Sequence, residues 1–237
     1  MYDNDKTLLL ELVRGAELTF QNAEQLFSEA VLLRKNGHLN RALFLHQISM
    51  EECAKIDILG AWATNLMSSG GVDLAKLTKA IRNHKAKNYT NAYMARLSDA
   101  ELAARERKDW KGSAEAFKEW QAKIHSYLNT HKNASLYVDF NDGKFLAPDD
   151  MITERMVDEI GITNQYFLAV THPRLGAMRR MADETDAMKA ITTWFVDRLK
   201  NMNLGEHETA MDALFQEMVE RYKRERASQA HEKQDDA

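Results

Sequence analysis

Proline is nearly absent from this sequence, with 2 residues in 237, and glycine is scarce at 10. A chain so poor in turn formers, and so rich in Ala, Leu, Glu, Lys and Met, is almost all α. Cys53 stands alone, which excludes an intramolecular disulfide and fits a reducing compartment. Charge of neither sign dominates: the formal net charge is −4, so any contact with nucleic acid would be local rather than global. Apolar runs stay short of the ~18 residues that a membrane span needs. The opening MYDNDKTLLLELVRG also lacks the basic start and small-residue cleavage site of a signal peptide. The expectation is a cytoplasmic protein with no membrane partner. What the chain does have is 44% apolar residues, enough to build a core.

Apolar residues recur at spacings of three and four from 5 to 35, through Leu9, Leu12, Ala16, Phe20, Ala23, Phe27, Ala30 and Leu33, and predict one long helix. Asn36-Gly37 ends it. A second helix runs from about Leu39 to Met67, and so short a link makes the two antiparallel neighbours. The Ser68–Gly71 stretch breaks the pattern, and a third helix is expected from about Asp73 to Arg96. Ser98 with Glu101 reads as a capping box opening a charged stretch. A further helix is expected from Ser113 to Thr130, with Ala116, Trp120, Ile124 and Tyr127 as its stripe. LYVDFNDGKFLAP, around Asn141-Asp142-Gly143, predicts a small hairpin or extended strap. Asp149 and Asp150 are candidate N-caps for the next helix, which Pro173 kinks or divides. Helices from Leu175 to Lys200 and from about Glu208 to Glu225 complete the pattern. The implied organisation is a bundle over 1–135 carrying a charged arm near 98–132. A strap near 136–147 and C-terminal helices to 226 pack on the same domain, and a loose tail covers 227–237.

One stretch, RALFLHQISMEECAK, is apolar until it takes Glu51, Glu52 and Lys55. At about 100° per residue, Ile48, Glu52 and Lys55 fall within about 40° of Arg41, with Glu51 flanking them. Thirty residues on, His84, Lys87, Asn88 and Asn91 form a second polar stripe. If the helices pack side by side, the stripes meet, and carboxylates, ammonium groups and an imidazole share one place. Such a mixture can move protons or hold a phosphate. The plainer reading is an ion-pair network, since Glu51 and Lys55 also have the i,i+4 spacing of any solvated helix. His46, among Leu45, Phe44 and Ile48, is by default a hydrogen-bonded core residue. No duplicated Glu-x-x-His supports a metal pair, so neither metal nor cofactor is expected. His125 and His131 are expected to be solvated, and Cys53 to be a small buried hydrophobe.

These residues carry a resemblance. GAELTFQNAEQLFSEAVLLRKNGHLNRALFLHQISMEECAK resembles the opening of AbiV family abortive-infection proteins. HKAK at 84–87 and the Leu136–Pro148 strap resemble that family's His-x-x-Lys and Tyr-Val-Asp…Pro segments, in the same order. The likeness covers roughly residues 10 to 150. Where the family often has Gly before the Lys, this chain has Ala54. The resemblance implies an all-α, HEPN-like antiparallel helical bundle and an anti-phage effector that arrests translation. It also implies a homodimer, a phage-encoded regulator, and RNA or the translation machinery as partners. Arg41 and His46 spell the R-x-x-x-x-H of many HEPN nucleases, although about one such match is expected by chance. A metal-independent ribonuclease would then use His84 or His46 on a ribose 2′-OH. Lys55, Lys87 and Arg41 would stabilise phosphate charge, with Glu51 and Glu52 orienting them. The alternative is a non-catalytic binder that sequesters translation machinery or a phage protein, its Glu-Glu-x-x-Lys cluster structural.

Overall fold

The computed structural model describes residues 3–69, 71–93, 95, 97–201, 214 and 216–227. Two long rods come first, α1 (Asp3–Lys35) and α2 (Leu39–Ser69). The joint between them is built by Gly37, at φ +81°. Gly37 N–H donates to Arg34 O (3.1 Å) and His38 N–H to Leu33 O (2.9 Å), satisfying carbonyls the helix end would otherwise strand. The rods therefore fold back on each other, and α2 becomes the axis of the molecule. It packs against α1, the long α8 (Glu154–Asp183), α9 (Thr185–Lys200) and the shorter α3 (Leu74–Arg82), α4 (His84–Ala92) and α6 (Trp110–Ala134).

Two apolar clusters hold these rods. One joins Leu9, Leu12, Ala16 and Phe20 of α1 to Ile56, Leu59, Ala63, Leu66 and Met67 of α2, with Leu77, Leu175 and Met178 closing it. The other joins Ala23, Leu43, Met50 and Cys53 to Leu128, Ile152, Val157, Ile160 and Phe167. Burial at about 25 cal/mol per Å² makes these clusters the main stabilising term. Cys53 is fully buried, and its pKa is pushed up to about 12 by that burial, as expected of a packing residue. No helix among the described residues is long and apolar enough to cross a membrane.

The all-α architecture expected from composition is present, with one small antiparallel hairpin among the described residues, β1 (Asp139–Asn141) and β2 (Lys144–Leu146). Asp142 (φ +48°) and Gly143 (φ +80°) form its two-residue turn, the conformation that Asp-Gly pairs favour.

Four expectations need correction. The third helix is two: Asn83 ends α3 and caps α4, accepting a hydrogen bond from Ala86 N–H (3.1 Å). The helix expected from Ser113 starts earlier, at Trp110, capped by Asp109, and ends later, at Ala134. It is no free arm, because Gln121 and Leu128 are buried and Gln121 donates to Tyr89 O. Of the expected stripe, Ala116, Trp120 and Ile124 are half-buried and Ile124 packs on the second cluster, while Tyr127 is exposed. Asp149 and Asp150 lie inside a single turn, α7 (Pro148–Met151), and α8 is capped by Thr153 instead. Pro173 does not divide the element: α8 runs through it to Asp183 and stops at Glu184 (φ −122°, ψ 47°), so the helix expected from Leu175 begins at Thr185 instead. The carbonyl that a proline at 173 leaves unpaired belongs to Ala169, which is exposed, so water can replace the lost donor. Residues 216–227 are helical; the remaining part of the expected last helix and the tail from 228 lie outside the described residues.

Candidate functional site

The break at Asn83 sets the site. By restarting the helix it aims His84 and Lys87, in the first turns of α4, at the middle of α2. Cations crowd there against a helix N-terminus, which repels positive charge. Glu51 of α2 compensates for both. Its Oε2 lies 2.5 Å from His84 Nδ1 and 2.6 Å from Lys87 Nζ. Its Oε1 lies 3.2 Å from Lys132 Nζ, in the last turn of α6, where a cation suits the helix end. One carboxylate thus joins three helices.

Exposure divides the cluster. The side chains of Glu51 and Lys87 are 5% and 6% exposed, and that of His84 is 57% exposed. Burial alone would raise the Glu51 pKa. The Lys87 hydrogen bond and charge, with Lys132 and His84 behind them, overcome it and hold Glu51 below the usual carboxylate value. Glu51 is therefore an anion at neutral pH. An acceptor-only anion requires His84 Nδ1 to carry the hydrogen, which leaves Nε2 as the ring nitrogen not engaged by Glu51.

Around this centre the polar stripe makes local contacts, although Asn91 Oδ1 is buried without a partner. Asn91 donates to Met50 O (3.1 Å). Asn88 Nδ2 lies 3.2 Å from His125 Nδ1, so that nitrogen accepts. Lys85 sits over the Tyr89 ring, 5.2 Å from its centroid, and that ring meets His125 edge-on. Glu52 pairs with Lys55 one turn along α2.

The sequence-predicted residues therefore divide. Glu51, His84 and Lys87 meet, and Glu52 with Lys55 lies beside them. Arg41 shares an azimuth with Glu52, yet it stands about 16 Å back along the helix axis and is exposed. His46 faces the other side of α2. It is 3% exposed, its ring packs on Phe27 (5.3 Å), and its Nδ1 lies 3.1 Å from Asn164 Nδ2 of α8. Gly161 allows this approach, since a Cβ there would sit 3.2 Å from His46 Nε2. Burial pushes the His46 pKa down to about 4, so it is neutral. His46 is thus a core residue, separate from the cluster.

One residue escaped the sequence reading, and one was placed wrongly. Lys132 looks like an ordinary solvated lysine at a helix end. Its signal was the spacing Gln121, His125, Leu128, Lys132, Ser135, one helical face that is half polar. His125 is half-buried rather than solvated, and burial, then Lys85 and Lys132, hold its pKa below the usual value. His131 is likewise half-buried and bonds Tyr127 O. Among the described residues no group of three or more His, Cys, Asp or Glu is placed to hold a metal.

A family model named HEPN_AbiV, described as AbiV, matches residues 11–168, more than half of the chain. A protein of Sinorhizobium fredii, named uncharacterized protein y4gJ, is 40% identical over 105 residues. That match covers 44% of this chain and 55% of the relative, so the chain spans about half of the relative's length. No solved structure matches.

Proposed function

The chain belongs to the HEPN_AbiV family, and from that premise we propose that it is an anti-phage abortive-infection effector that arrests translation by acting on RNA at the Glu51 cluster. The observation that carries this reading is a solvent-facing imidazole, His84, held through Nδ1 by a buried carboxylate ringed by ammonium groups. With Nδ1–H bound to Glu51, His84 Nε2 takes the proton of a ribose 2′-OH. The 2′-oxygen then attacks the adjacent phosphorus, and the 5′-oxygen leaves with a proton from solvent. Lys87 and Lys132 are too buried to grip the substrate and act through their field, while the more exposed Lys55 can meet phosphate. Glu52 positions Lys55. Arg41 and His46 take no part in this step. The family likeness further carries a homodimer and a phage-encoded regulator as proposed partners.

A second reading rests on the same contacts. Both Glu51 oxygens are already engaged, and a carboxylate so saturated suits a structural clamp. The protein would then sequester translation machinery or a phage protein without cutting anything. Incubating the purified protein with total RNA, with and without a chelator, separates the two. Nuclease action predicts discrete fragments in both samples, reduced by about 10²-fold or more in His84→Ala. Intact RNA alongside arrested translation favours the binder. Unchanged phage restriction by both Glu51→Gln and His84→Ala would remove the cluster from the function altogether.

A further inference from the structure

The chain as a whole is slightly acidic, with 36 Asp and Glu against 32 Lys and Arg, yet two of its stretches carry no acid. Residues 74–98, which include α3 and α4, hold six lysines and arginines and no Asp or Glu. Residues 120–138, most of α6 and the turn after it, hold Lys123 and Lys132 and again no acid. At the chain's average, stretches of these lengths would carry about four and about three acids. Acids return in α5 (Asp99–Glu106), the link between the two stretches, at Asp99, Glu101 and Glu106. Folding lays α4 against α6, so the acid-free stretches adjoin, with the buried carboxylate of Glu51 beneath them.

Rings interleave with the cations of this face. At about 100° per residue, His84, Asn88, Lys85 and Tyr89 fall within about 140° on α4. His84 and Lys85 are exposed, and Tyr89 and His125 are half-buried, so solvent reaches all four. The Lys85 ammonium lies over the Tyr89 ring, and the His125 ring meets the edge of that ring with centroids 5.8 Å apart. Asn88 holds His125 Nδ1 as an acceptor, so the neutral imidazole carries its hydrogen on Nε2 and donates there. Burial, then Lys85 and Lys132, keep His125 neutral at neutral pH. Cations alone would draw any anion, but an acidic peptide would leave the ring face unused. A nucleic-acid strand uses both, its phosphates on the cations and a base on the ring. That base must be unpaired, because a duplex keeps its bases stacked on one another and presents backbone and groove edges instead. Lys85, being exposed, exchanges the ring for a phosphate as the base arrives. Tyr89 stands about 7.5 Å along α4 from His84, so a strand seated on the ring carries its neighbouring linkage toward that imidazole.

We propose, resting on the reading that the Glu51 cluster acts on RNA, that the α4–α6 face binds single-stranded RNA. A base stacks on Tyr89, Lys85 and His125 Nε2 hold its phosphates, and the adjoining linkage reaches His84. The probe is a fluorescein-labelled twelve-residue strand of mixed sequence, 2′-O-methylated throughout. It lacks the attacking hydroxyl, so anisotropy with the full chain reads binding while cleavage is silenced. Saturable binding is expected, weakening with salt and at least about tenfold tighter than for the same strand annealed to its complement. Tyr89→Leu and Lys85→Glu each weaken it about tenfold, whereas Arg155→Glu, the same charge reversal at an exposed residue of α8, leaves it within about twofold. Circular dichroism confirms that the variants fold; should Tyr89→Leu unfold, Lys85→Glu and the duplex comparison carry the test. Natural RNA left intact while the methylated strand still binds defeats the nuclease step and supports the face. No binding, duplex bound as tightly as single strand, affinity unchanged in folded Tyr89→Leu or Lys85→Glu, or an equal loss in Arg155→Glu overturns the assignment.

Discussion

His46 and Glu51 lie on neighbouring turns of α2, and each is buried, yet they are held in opposite charge states. His46 is kept neutral because nothing around it compensates a positive charge; its pKa of about 4 lies below its usual 6.5. The unfolded chain takes up a proton below pH 6.5, while the native chain refuses it until about pH 4. Stability is therefore full above the upper value and is lost as pH falls through that window, by on the order of 2–3 kcal/mol. Glu51 adds a later loss of the same sign, beginning only below its ordinary 4.5. Urea midpoints at a series of pH values should thus fall from pH 7 to 4.5, and His46→Asn, whose amide oxygen can replace Nδ1, should flatten that slope. A slope unchanged in the variant would sink the assignment. At this scale the sequence was half legible. Glu51, His84 and Lys87 stood out because charge interrupted an apolar pattern. Lys132 did not, because a lysine in a last helical turn is what the helix dipole favours anyway.

Elements were easier to read than their joints. The 3–4 spacing in α1 and α2 and the Asn-Asp-Gly turn follow directly from local chemistry. Asn83 did not reveal itself as a boundary, because RNHKAKN is compatible with continuous helix and the cap is one side chain in its middle. Pro173 misled in the other direction: its cost depends on whether the orphaned carbonyl faces water, which only packing decides. That cost is still present in α8. Pro173→Ala restores a donor for Ala169 O, and since His172, Pro173 and Arg174 are all exposed, nothing else need move. The variant should unfold about 1–3 kcal/mol later than the parent in chemical denaturation. Destabilisation instead would mean that the proline sets an angle the fold requires.

For the whole molecule, the decisive fact is how differently the two sides of α2 are fastened. Toward α1 and α8 the contact is a broad apolar seam. Toward α4 and α6 it is narrower, made by Leu128 with Ile124 and Ala134, by Asn91 and by the Glu51 ion cluster. Glu51→Ala strands Lys87 and Lys132 away from water with no counter-charge, a loss of about 3–5 kcal/mol. Amide hydrogen exchange should then quicken over residues 84–134 while Leu9–Phe20 and Leu59–Met67 keep their protection. Uniform quickening would show that the layers are not separable in this way.

The chain order gives Glu51 and His46 one more consequence. Synthesis delivers the paired rods α1 and α2 before α4, α6 and α8, and the joint at Gly37 lets them close while the ribosome is still working. At that moment the carboxylate has no lysines and the imidazole no amide, for Lys87, Lys132 and Asn164 are not yet made. The newborn hairpin of helices must wait with its polar seams wet, and it dries only when the last of those partners has left the exit tunnel.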